Sequence, residues 1–400
     1  MLKELELTSI EDLQQDMQVC KEDFEVIYRT CIVMESLVEL HDSIQAKGSI
    51  SQEDLKLIRI GLQMATAGTN VSTESLFPSL EDYSDVNIAC EGLLDVIIRS
   101  LHAIAQSLVQ SIRSYVDQVQ ASWVMFELQS NKLNSIKKNL TGQVKPEVKV
   151  KKGKYLMYGK GHMVKDIPEY TKHYVEAMGD MKQLLTLVAV LQEKDFMQSL
   201  KTLISPITGY NKKFMEMFKT FYKFLQGVRD ITFYRPGVIP GRYVSDSYLG
   251  LSHIMVSQPD TIVNDDNIQM CKRVFDEFEV AFVRDSKFEI ETLHSSVVLS
   301  GVNVNDVHKL ITSTEEVILA YKRLMTLTNR LSNLGARNMA FDYAMTTIDS
   351  RGIASAKLLL DNYRLLAKTS VVISNTTNTA FNFTRGNIAK CLEILSKVSV

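Results

Sequence analysis

One uninterrupted apolar pattern between residues 92 and 142 limits what this chain can fold into more than any other feature. Apolar side chains recur there in steps of three or four, at Leu94, Ile97, Leu101, Ile104, Leu108, Ile112, Tyr115, Val119, Trp123 and Phe126. This spacing places them on one stripe of a helix, and neither Pro nor Gly interrupts the run between Gly92 and Gly142. The sequence therefore predicts one long amphipathic helix over 92–142.

The charge of the chain changes sign where this helix begins. Residues 1–91 contain 18 acidic and 6 basic side chains, a net charge of −12. The remaining residues contain 29 acidic and 39 basic side chains, a net charge of +10, so the overall net charge of −2 conceals two oppositely charged segments. Such a division bears on solubility and on binding partners, and it does not define a fold.

The composition favours helices. Proline occurs only 7 times in 400 residues, and the 45% hydrophobic and 23% charged fractions are those of a globular protein. We therefore expect a mainly α fold, a bundle of long helices with one or two small β-hairpin excursions.

The cysteines and the apolar runs bear on the environment of the protein. The cysteines are few and widely separated, at Cys20, Cys31, Cys90, Cys271 and Cys391. An odd, scattered set does not form a disulfide framework, so we expect reduced thiols. No run of 18 apolar residues occurs, and even residues 93–109 include Asp95 and Arg99, so we expect no stable membrane span.

The acidic segment 1–68 has the pattern of two helices. Ser9 begins a stretch similar to a capping box, and Gly48 suits the end of a first helix. Ser51 suits the N-cap of a second helix that ends near Gly68. We expect a helical hairpin whose first helix has an apolar stripe formed by Leu13, Val19, Phe24, Ile27, Val33, Leu37 and Leu40.

Two segments beside the long helix lack helical periodicity. Residues 69–91 are rich in Ser, Thr, Asp and Asn and contain Pro78, which predicts a flexible linker. Residues 143–168 have short alternating apolar runs broken by glycines, which predicts a β-hairpin. This hairpin is basic, because the stretch Lys132–Lys165 contains ten Lys and a single acid, Glu147.

Helical patterns resume at Pro168 and fill most of the remaining chain. We expect helices over 169–230, an irregular or β-containing excursion over 231–263, and a C-terminal helical bundle over 264–400. The predicted helices of this bundle cover 264–298, 303–334 and 336–399, with Asn303 or Asn305 as a cap or kink. The Asn and Thr run in 373–387 disfavours an unbroken last helix.

The sequence lacks the motifs of the common enzyme classes. It contains no GxxxxGK[ST], GxSxG, HExxH or CxxC pattern. The seven histidines are scattered, and His162 and His173, which could meet in space, are too few to indicate a metal site. We therefore expect a non-enzymatic protein with no catalytic residues, no metal site and no cofactor.

The lysine-rich segment is the best candidate for a binding site. Clustered lysines neutralise the phosphates of nucleic acid without recognising a base sequence, although a solvated loop would have the same composition. The candidate contacts to a DNA backbone are Lys137, Lys138, Lys145, Lys149, Lys151, Lys152, Lys154 and Lys160.

The peptide Ala89-Cys90-Glu91, followed by the Gly-Leu-Leu start of the long helix, resembles a processing site of a known family. This family is the internal head proteins, or virion structural proteins, of large tailed bacteriophages. The Ser-Leu-Glu-Asp-Tyr stretch at 79–83 and the glycine-containing Tyr155–Met163 piece are also similar, and the resemblance covers mainly 50–165. In such proteins a prohead protease removes an acidic N-terminal propeptide after a small-x-Glu peptide.

The resemblance implies that residues 1–91 are a propeptide and that the bond between Glu91 and Gly92 is cleaved, which would change the net charge from −2 to +10. Ser72-Thr-Glu74 is a second candidate for cleavage. The resemblance also implies a structural protein that is made in the host cytoplasm and packaged in the virion interior. Its partners there would be the prohead protease, packaged DNA and other head proteins.

Two other classes of protein fit parts of the pattern. An α-helical pore-forming or membrane-remodelling protein also combines long helices with a short β-excursion, and residues 92–109 are amphipathic enough to lie in a membrane interface. The lysine-rich hairpin disfavours this class, because a membrane-inserting tongue would be apolar. A coiled-coil scaffold, which assembles other proteins through exposed apolar stripes, is the third possibility.

Overall fold

The computed structural model confirms a mainly α protein built from long helices. It describes residues 2–66, 86–140, 143–159, 161–193, 210–231, 233–234, 242–245, 248–250, 252–257, 268–284, 296–332 and 353–398. The helices within these ranges are α1 (Leu2–Lys47), α2 (Gln52–Thr66), α3 (Val86–Asn139), α4 (Ile167–Leu191), α5 (Tyr210–Asp230), α6 (Ile268–Glu277), α7 (Val304–Ser332) and α8 (Ile353–Val398).

The described strands form three small antiparallel sheets. They are β1 (Glu147–Lys151), β2 (Met157–Tyr158), β3 (His162–Met163), β4 (Phe233–Tyr234), β5 (Arg242–Val244), β6 (Ser252–Ser257), β7 (Glu279–Arg284) and β8 (Ser296–Ser300). Strand β1 pairs with β8, β2 pairs with β3, and β4 to β7 form a four-stranded sheet in chain order. The strands β4, β5 and β6 confirm the prediction of a β-containing excursion over 231–263.

Helices α3 and α8 run parallel through the centre of the bundle, and α7 runs antiparallel to α3. The Tyr115 and Thr377 hydroxyls lie 3.3 Å apart, and further along both helices Gln129 donates to the carbonyl of Arg385 at 3.0 Å. The aromatic rings at the contact of the three helices belong to Phe126, Tyr321 and Phe381, with centroids 4.4 to 6.1 Å apart. The predicted stripe of α3 therefore faces the core, where Ile97, Leu101 and Leu108 are fully buried.

Helices α4 and α7 form a second parallel pair. Their contacts advance in the same direction along both helices: the Tyr174 hydroxyl lies 2.8 Å from that of Thr314, and further along Gln192 donates to Thr328 at 2.9 Å. Asp166 is the N-cap of α4, Pro168 lies in its first turn, and Asn303 accepts the N–H of Asp306 at the start of α7. Of the two caps predicted for α7, the structure selects Asn303.

Helix α8 is continuous over Ile353–Val398, although the Asn and Thr run within it disfavours an unbroken helix. The part of the predicted last helix over 336–352 lies outside the described residues. Hydroxyl and amide side chains buried along α8 include Thr369, Ser370, Ser374, Thr376, Thr377, Thr384 and Asn387. Ser370 and Thr384 donate to the carbonyls of Leu366 and Ala380 one turn earlier, at 2.7 and 2.6 Å. Asn375 donates to the carbonyl of Val280 in β7. Several of these polar groups therefore bond to the helix itself or to its neighbours, whereas the buried Thr376 hydroxyl has no hydrogen-bond partner among the described residues.

The helical hairpin of α1 and α2 is present, with two corrections to its predicted outline. Gly48 ends α1 with a positive φ of 63°, and Ser51 and Asp54 form a reciprocal capping box at the start of α2. However, α1 begins at Leu2 and not at Ser9. The predicted stripe is also partly wrong, because Val19 is 47% exposed.

Helix α1 shares the core of the rest of the chain and is not a separable domain. Its buried residues follow steps of one, three or four, at Phe24, Ile27, Cys31, Met34, Leu37, Val38, His41 and Ile44. They pack against α3 and α8, the two helices with which α1 makes its main contacts. The prediction of a propeptide over 1–68 that lies apart from the bundle is therefore not supported by this packing.

Two further predicted boundaries are wrong because distant strands pair. Only part of the segment 143–168 is a hairpin, since β2 and β3 pair with Met157 opposite Met163. The strand β1 instead pairs with β8, with Val148 opposite Leu299 and Val150 opposite Val297. The segment 264–298 is not one long helix, since it contains α6, β7 and the start of β8. Short apolar runs are compatible with either a helix or a strand, and a partner far away in sequence decides between them.

Among the described helices, α3 is long and apolar enough over Cys90–Asn139 to cross a membrane, by length and composition only. A core helix of a soluble protein meets the same criteria. In this fold the apolar stripe of α3 packs against α1 and α8.

Tyr155 in the turn after β1 wedges against two glycines from distant segments. A Cβ atom at Gly386 in α8 would overlap the Tyr155 ring, and one at Gly250 would lie 3.2 Å from the same ring. The absence of a side chain at Gly386 is therefore required for the turn to dock on α8.

We predict that Gly386→Ala lowers the free energy of unfolding by about 1–3 kcal/mol, the typical cost of forced overpacking. In a helix without such a contact, replacing glycine by alanine raises stability by about 1 kcal/mol. A loss of stability in Gly386→Ala would therefore indicate overlap with Tyr155, and a gain would indicate free space. Gly179→Ala in α4 is the matched control, because a Cβ there meets nothing within 4 Å. Chemical denaturation measures the free energy of unfolding of both variants. Equal changes in Gly386→Ala and Gly179→Ala would contradict the docking of Tyr155 on α8.

Candidate nucleic-acid interface

Four helix ends and one strand pair meet at one end of the bundle, which we call the basic pole. Helices α3 and α8 end there, α4 and α7 begin there, and the β1–β8 ribbon closes it. The N–H of Lys145 donates to the carbonyl of Val398 at 3.0 Å, and the N–H of Val302 donates to the carbonyl of Pro146 at 3.3 Å. Asp166 forms a parallel bridge with Ser300.

The charges at the basic pole follow the polarity of the helices. The last turn of α3 contains Lys137 and Lys138, and that of α8 contains Lys397. The partial negative charge of a helix C-terminus is stabilised by such cations. The acids Asp166 and Asp306 lie at the N-terminal ends of α4 and α7, where anions are favoured. Each helix end is therefore stabilised by the charge beside it.

The β1–β8 ribbon presents lysines on its solvent face. Val148 and Val150 are buried, whereas Lys149 and Lys151 alternate with them and are exposed. The residues directly across the strand pair are Val298 and Ser296, which are uncharged. No carboxylate therefore lies directly opposite either lysine on β8.

The free edge of β1 is capped by the side chains of α8. Lys397 and Lys390 donate to the carbonyls of Lys149 and Lys151, both at 2.9 Å. The N–H of Lys151 donates to Glu393 at 3.0 Å. An uncovered strand edge is a template for unwanted pairing, and these side chains occupy it.

Glu393 is the hub of this edge. Its carboxylate accepts from Lys390 at 2.6 Å and from Lys397 at 3.0 Å, as well as from β1. Burial opposes ionisation of Glu393, but the hydrogen bonds from Lys390, the Lys151 N–H and Lys397 outweigh it and lower its pKa to about 2. Glu393 is therefore ionised and offsets part of the charge of two lysines.

The eight predicted contact lysines have different surroundings. Lys138, Lys145, Lys149 and Lys151 are exposed, and Lys152 is half-buried. Lys137 forms an ion pair with Glu315 of α7, and the Lys154 ammonium lies 4.9 Å from the centroid of the Tyr155 ring. Lys160 lies outside the described residues.

Sequence reasoning missed two lysines of the basic pole, Lys390 and Lys397. They follow β1 by more than 230 residues, and only the docking of α8 brings them to it. A weak signal was present, because Lys390, Glu393 and Lys397 are spaced to form i, i+3 and i, i+4 pairs.

The predicted cleavage site lies in a helix, which corrects the prediction that the linker extends to residue 91. Helix α3 begins at Val86, so Ala89, Cys90, Glu91 and Gly92 form part of its first two turns. The apolar stripe of α3, predicted to begin at Leu94, extends one turn towards the N-terminus, since Cys90 is half-buried and packs against the core. Glu91 is exposed. The second candidate, Ser72 and Glu74, lies outside the described residues.

We predict that Glu393→Gln lowers the free energy of unfolding at pH 7 by about 1–2 kcal/mol, after allowance for solvent screening. Because the folded pKa is lowered, the ionised carboxylate stabilises the fold above the unfolded pKa of about 4.3. This contribution disappears as the pH falls from there towards 2. The difference between wild type and variant should therefore shrink over that range.

Denaturation at a series of pH values measures this difference. Glu127→Gln is the matched control, since Glu127 is an exposed acid of α3. A constant difference between wild type and Glu393→Gln from pH 7 to pH 2 would contradict the role of Glu393 as a charge hub.

Metal-ligating side chains are not clustered in the described part of the chain. The described residues contain no group of three or more His, Cys, Asp or Glu side chains that could hold a metal ion. His173 instead stacks on Tyr158, with ring centroids 3.9 Å apart, and the Tyr158 hydroxyl donates to Glu169 at 2.7 Å.

Comparisons with protein-family models, curated proteins and solved structures gave no match.

Proposed function

We propose that this chain is a non-enzymatic structural protein packaged inside the capsid of a tailed bacteriophage, where the basic pole lies against packaged DNA. The observation that supports the DNA contact best is the solvent face of β1, where Lys149 and Lys151 have uncharged neighbours across the strand pair. The capsid location rests on the resemblance of residues 50–165 to internal head proteins.

The kind of contact follows from the side chains at the pole. Exposed Lys138 and Lys145 extend the positive surface beyond the ribbon. Lysine ammonium groups act as point charges and bind phosphates without the forked geometry of arginine. The proposal is therefore electrostatic binding to the DNA backbone, independent of base sequence and sensitive to salt.

The direction of α1 is relevant to the proposed acidic cover. Helix α1 runs antiparallel to α8, since Glu35 pairs with Arg364 and the Tyr28 ring lies 5.3 Å from the ammonium of Lys368, one turn further along. The N-terminal end of α1 is therefore directed towards the pole where α8 ends. Residues 1–23 contain seven acids and two lysines, which supports a cover that weakens DNA binding.

The proposed maturation step is cleavage between Glu91 and Gly92. A protease binds its substrate in extended form, so the first two turns of α3 must unwind. Of the side chains described in the first turns of α3, Asn87 and Glu91 are exposed and Cys90 is half-buried, and Leu93, two residues after the scissile bond, is the first that is buried. Unwinding of these turns therefore breaks few of the described core contacts.

N-terminal sequencing of the protein from mature particles tests this step. We expect the body of the chain to start at Gly92. A start at Ser75, the residue after Glu74, would move the cut to the second candidate site. Recovery of the chain with only its original N-terminus would contradict proteolytic maturation.

We predict that Lys149→Glu combined with Lys151→Glu weakens binding to duplex DNA of random sequence by at least about tenfold at low salt. Loss of two phosphate contacts should also reduce the slope of log affinity against log salt by about 1.8, at about 0.9 for each contact. Fluorescence anisotropy over a salt series measures both quantities.

Lys223→Glu combined with Lys322→Glu is the matched control. It changes the net charge equally on exposed helix positions, and Lys322 lies about 27 Å along α7 from the pole at about 1.5 Å per residue. Equal losses in the two double variants would show that overall charge, and not the pole, controls binding.

The alternative of a membrane-acting protein is supported by one observation, the length and apolar composition of α3. That function would require α3 to leave α1 and α8, with which its stripe is packed. Leakage of dye from anionic liposomes would favour the alternative, and intact liposomes would favour the structural protein.

A further inference from the structure

A cluster of charges ties α1 to two other parts of the chain. The Arg364 guanidinium of α8 forms ion pairs with Glu35 of α1 and Asp276 of α6. The hydroxyl of Tyr28 in α1 donates to Asp276 at 2.8 Å. The Arg364, Glu35 and Asp276 side chains are only 20 to 24% exposed, so solvent screens these pairs less than surface pairs.

Lys368, one turn further along α8, completes the cluster. It donates to the backbone carbonyl of Asp276 at 2.7 Å, and its ammonium lies 5.3 Å from the Tyr28 ring centroid. Burial opposes ionisation of Arg364, but the Asp276 and Glu35 carboxylates outweigh it and raise its pKa, so the guanidinium stays charged. We call Tyr28, Glu35, Asp276, Arg364 and Lys368 the α1 lock.

The α1 lock lies beside a continuous apolar contact. Phe24, Cys31 and Met34 of α1 are at most 1% exposed, and their neighbours on the same stripe pack against α3 and α8. Such an interface has the anatomy of a stable protein complex, an apolar centre with charged groups that fix the register. The opposite net charges of 1–91 and 92–400, −12 and +10, add a long-range attraction.

We propose that the face formed by α3, α6 and α8 is a binding site for residues 1–66 that does not depend on the covalent connection, so that a chain cut anywhere between residues 67 and 92 remains a two-chain complex. The occupant is an acidic amphipathic helix, α1 itself. This inference goes beyond the proposed function, because it concerns the folded chain wherever the protein is located.

The inference changes the consequence of processing. A retained N-terminal piece keeps the net charge of the complex at −2, because the 18 acids of residues 1–91 remain bound. Cleavage by itself then does not uncover a body with a charge of +10. A second event that opens the α1 lock would be needed to separate the two pieces.

An engineered cut in the full chain tests the retention. A recognition sequence for a site-specific protease is inserted between Ser72 and Leu80, the chain is cut to completion, and the product is passed over a size-exclusion column at physiological salt. We expect both fragments to elute together at the position of the uncut chain. Elution of the two fragments at separate positions would overturn the proposal.

Arg364→Ala tests the α1 lock. In the uncut chain the connection supplies a millimolar effective concentration of α1, so a weakened interface stays occupied. After the cut at micromolar protein, we expect the variant to release its N-terminal fragment at least tenfold more readily than the unsubstituted cut chain. Arg273→Ala is the matched control, because Arg273 is 64% exposed and pairs only within α6, with Glu277 at 2.7 Å.

Release from Arg364→Ala with retention in Arg273→Ala supports the lock, and equal behaviour of the two overturns it. If the uncut Arg364→Ala chain does not fold, Glu35→Gln replaces it, with the same outcomes. No DNA and no phage component enters the assay. Failure of the retention therefore leaves the proposed DNA contact untouched, and failure of the DNA contact leaves the retention untouched.

Discussion

The fold depends on the packing of α8, because α1, α3, α4, α7, β1 and β7 all contact it. A helix at the centre of a bundle is usually apolar on every side, yet α8 buries a series of hydroxyl and amide groups. A buried polar group needs a hydrogen-bond partner, and several of these groups find theirs on other elements, Tyr115 of α3 and β7 among them. Hydrogen bonds of this kind fix the position of each neighbouring element along α8 more specifically than apolar packing alone.

The same helix explains both charged regions of the molecule. In its N-terminal half, Arg364 and Lys368 hold α1 and α6. At its C-terminal end, Lys390, Glu393 and Lys397 cap the edge of β1 and join the basic pole. Lys368, Lys390 and Lys397 of α8 thus serve folding first, since each of the three is bonded to a carbonyl or a carboxylate. The exposed lysines of β1 and of the segment before it are the ones that remain for an outside ligand.

The N-terminal hairpin of α1 and α2 has two properties that point to opposite roles. Its acidity and the glutamate at its boundary fit a segment that is removed, whereas its buried stripe fits a segment that belongs to the core. The proposed two-chain complex reconciles the two, because breaking a peptide bond does not break the contacts of a helix. The helical start of α3 also makes the proposed cleavage conditional on local unwinding, and such unwinding is least costly at a helix end.

The long helices, several of their ends and the mainly α class could be predicted from the sequence, because these depend on periodicity and on residues within a few positions of one another. The helix over α3, the stop at Gly48 and the cap at Ser51 follow from such local chemistry. The pairing of β1 with β8, the position of Lys390 and Lys397 at the pole and the place of α1 in the core became known from the folded chain alone. These outcomes depend on partners far apart in sequence, as in the 248-residue separation of Lys149 and Lys397, and local patterns contain no information about such pairs.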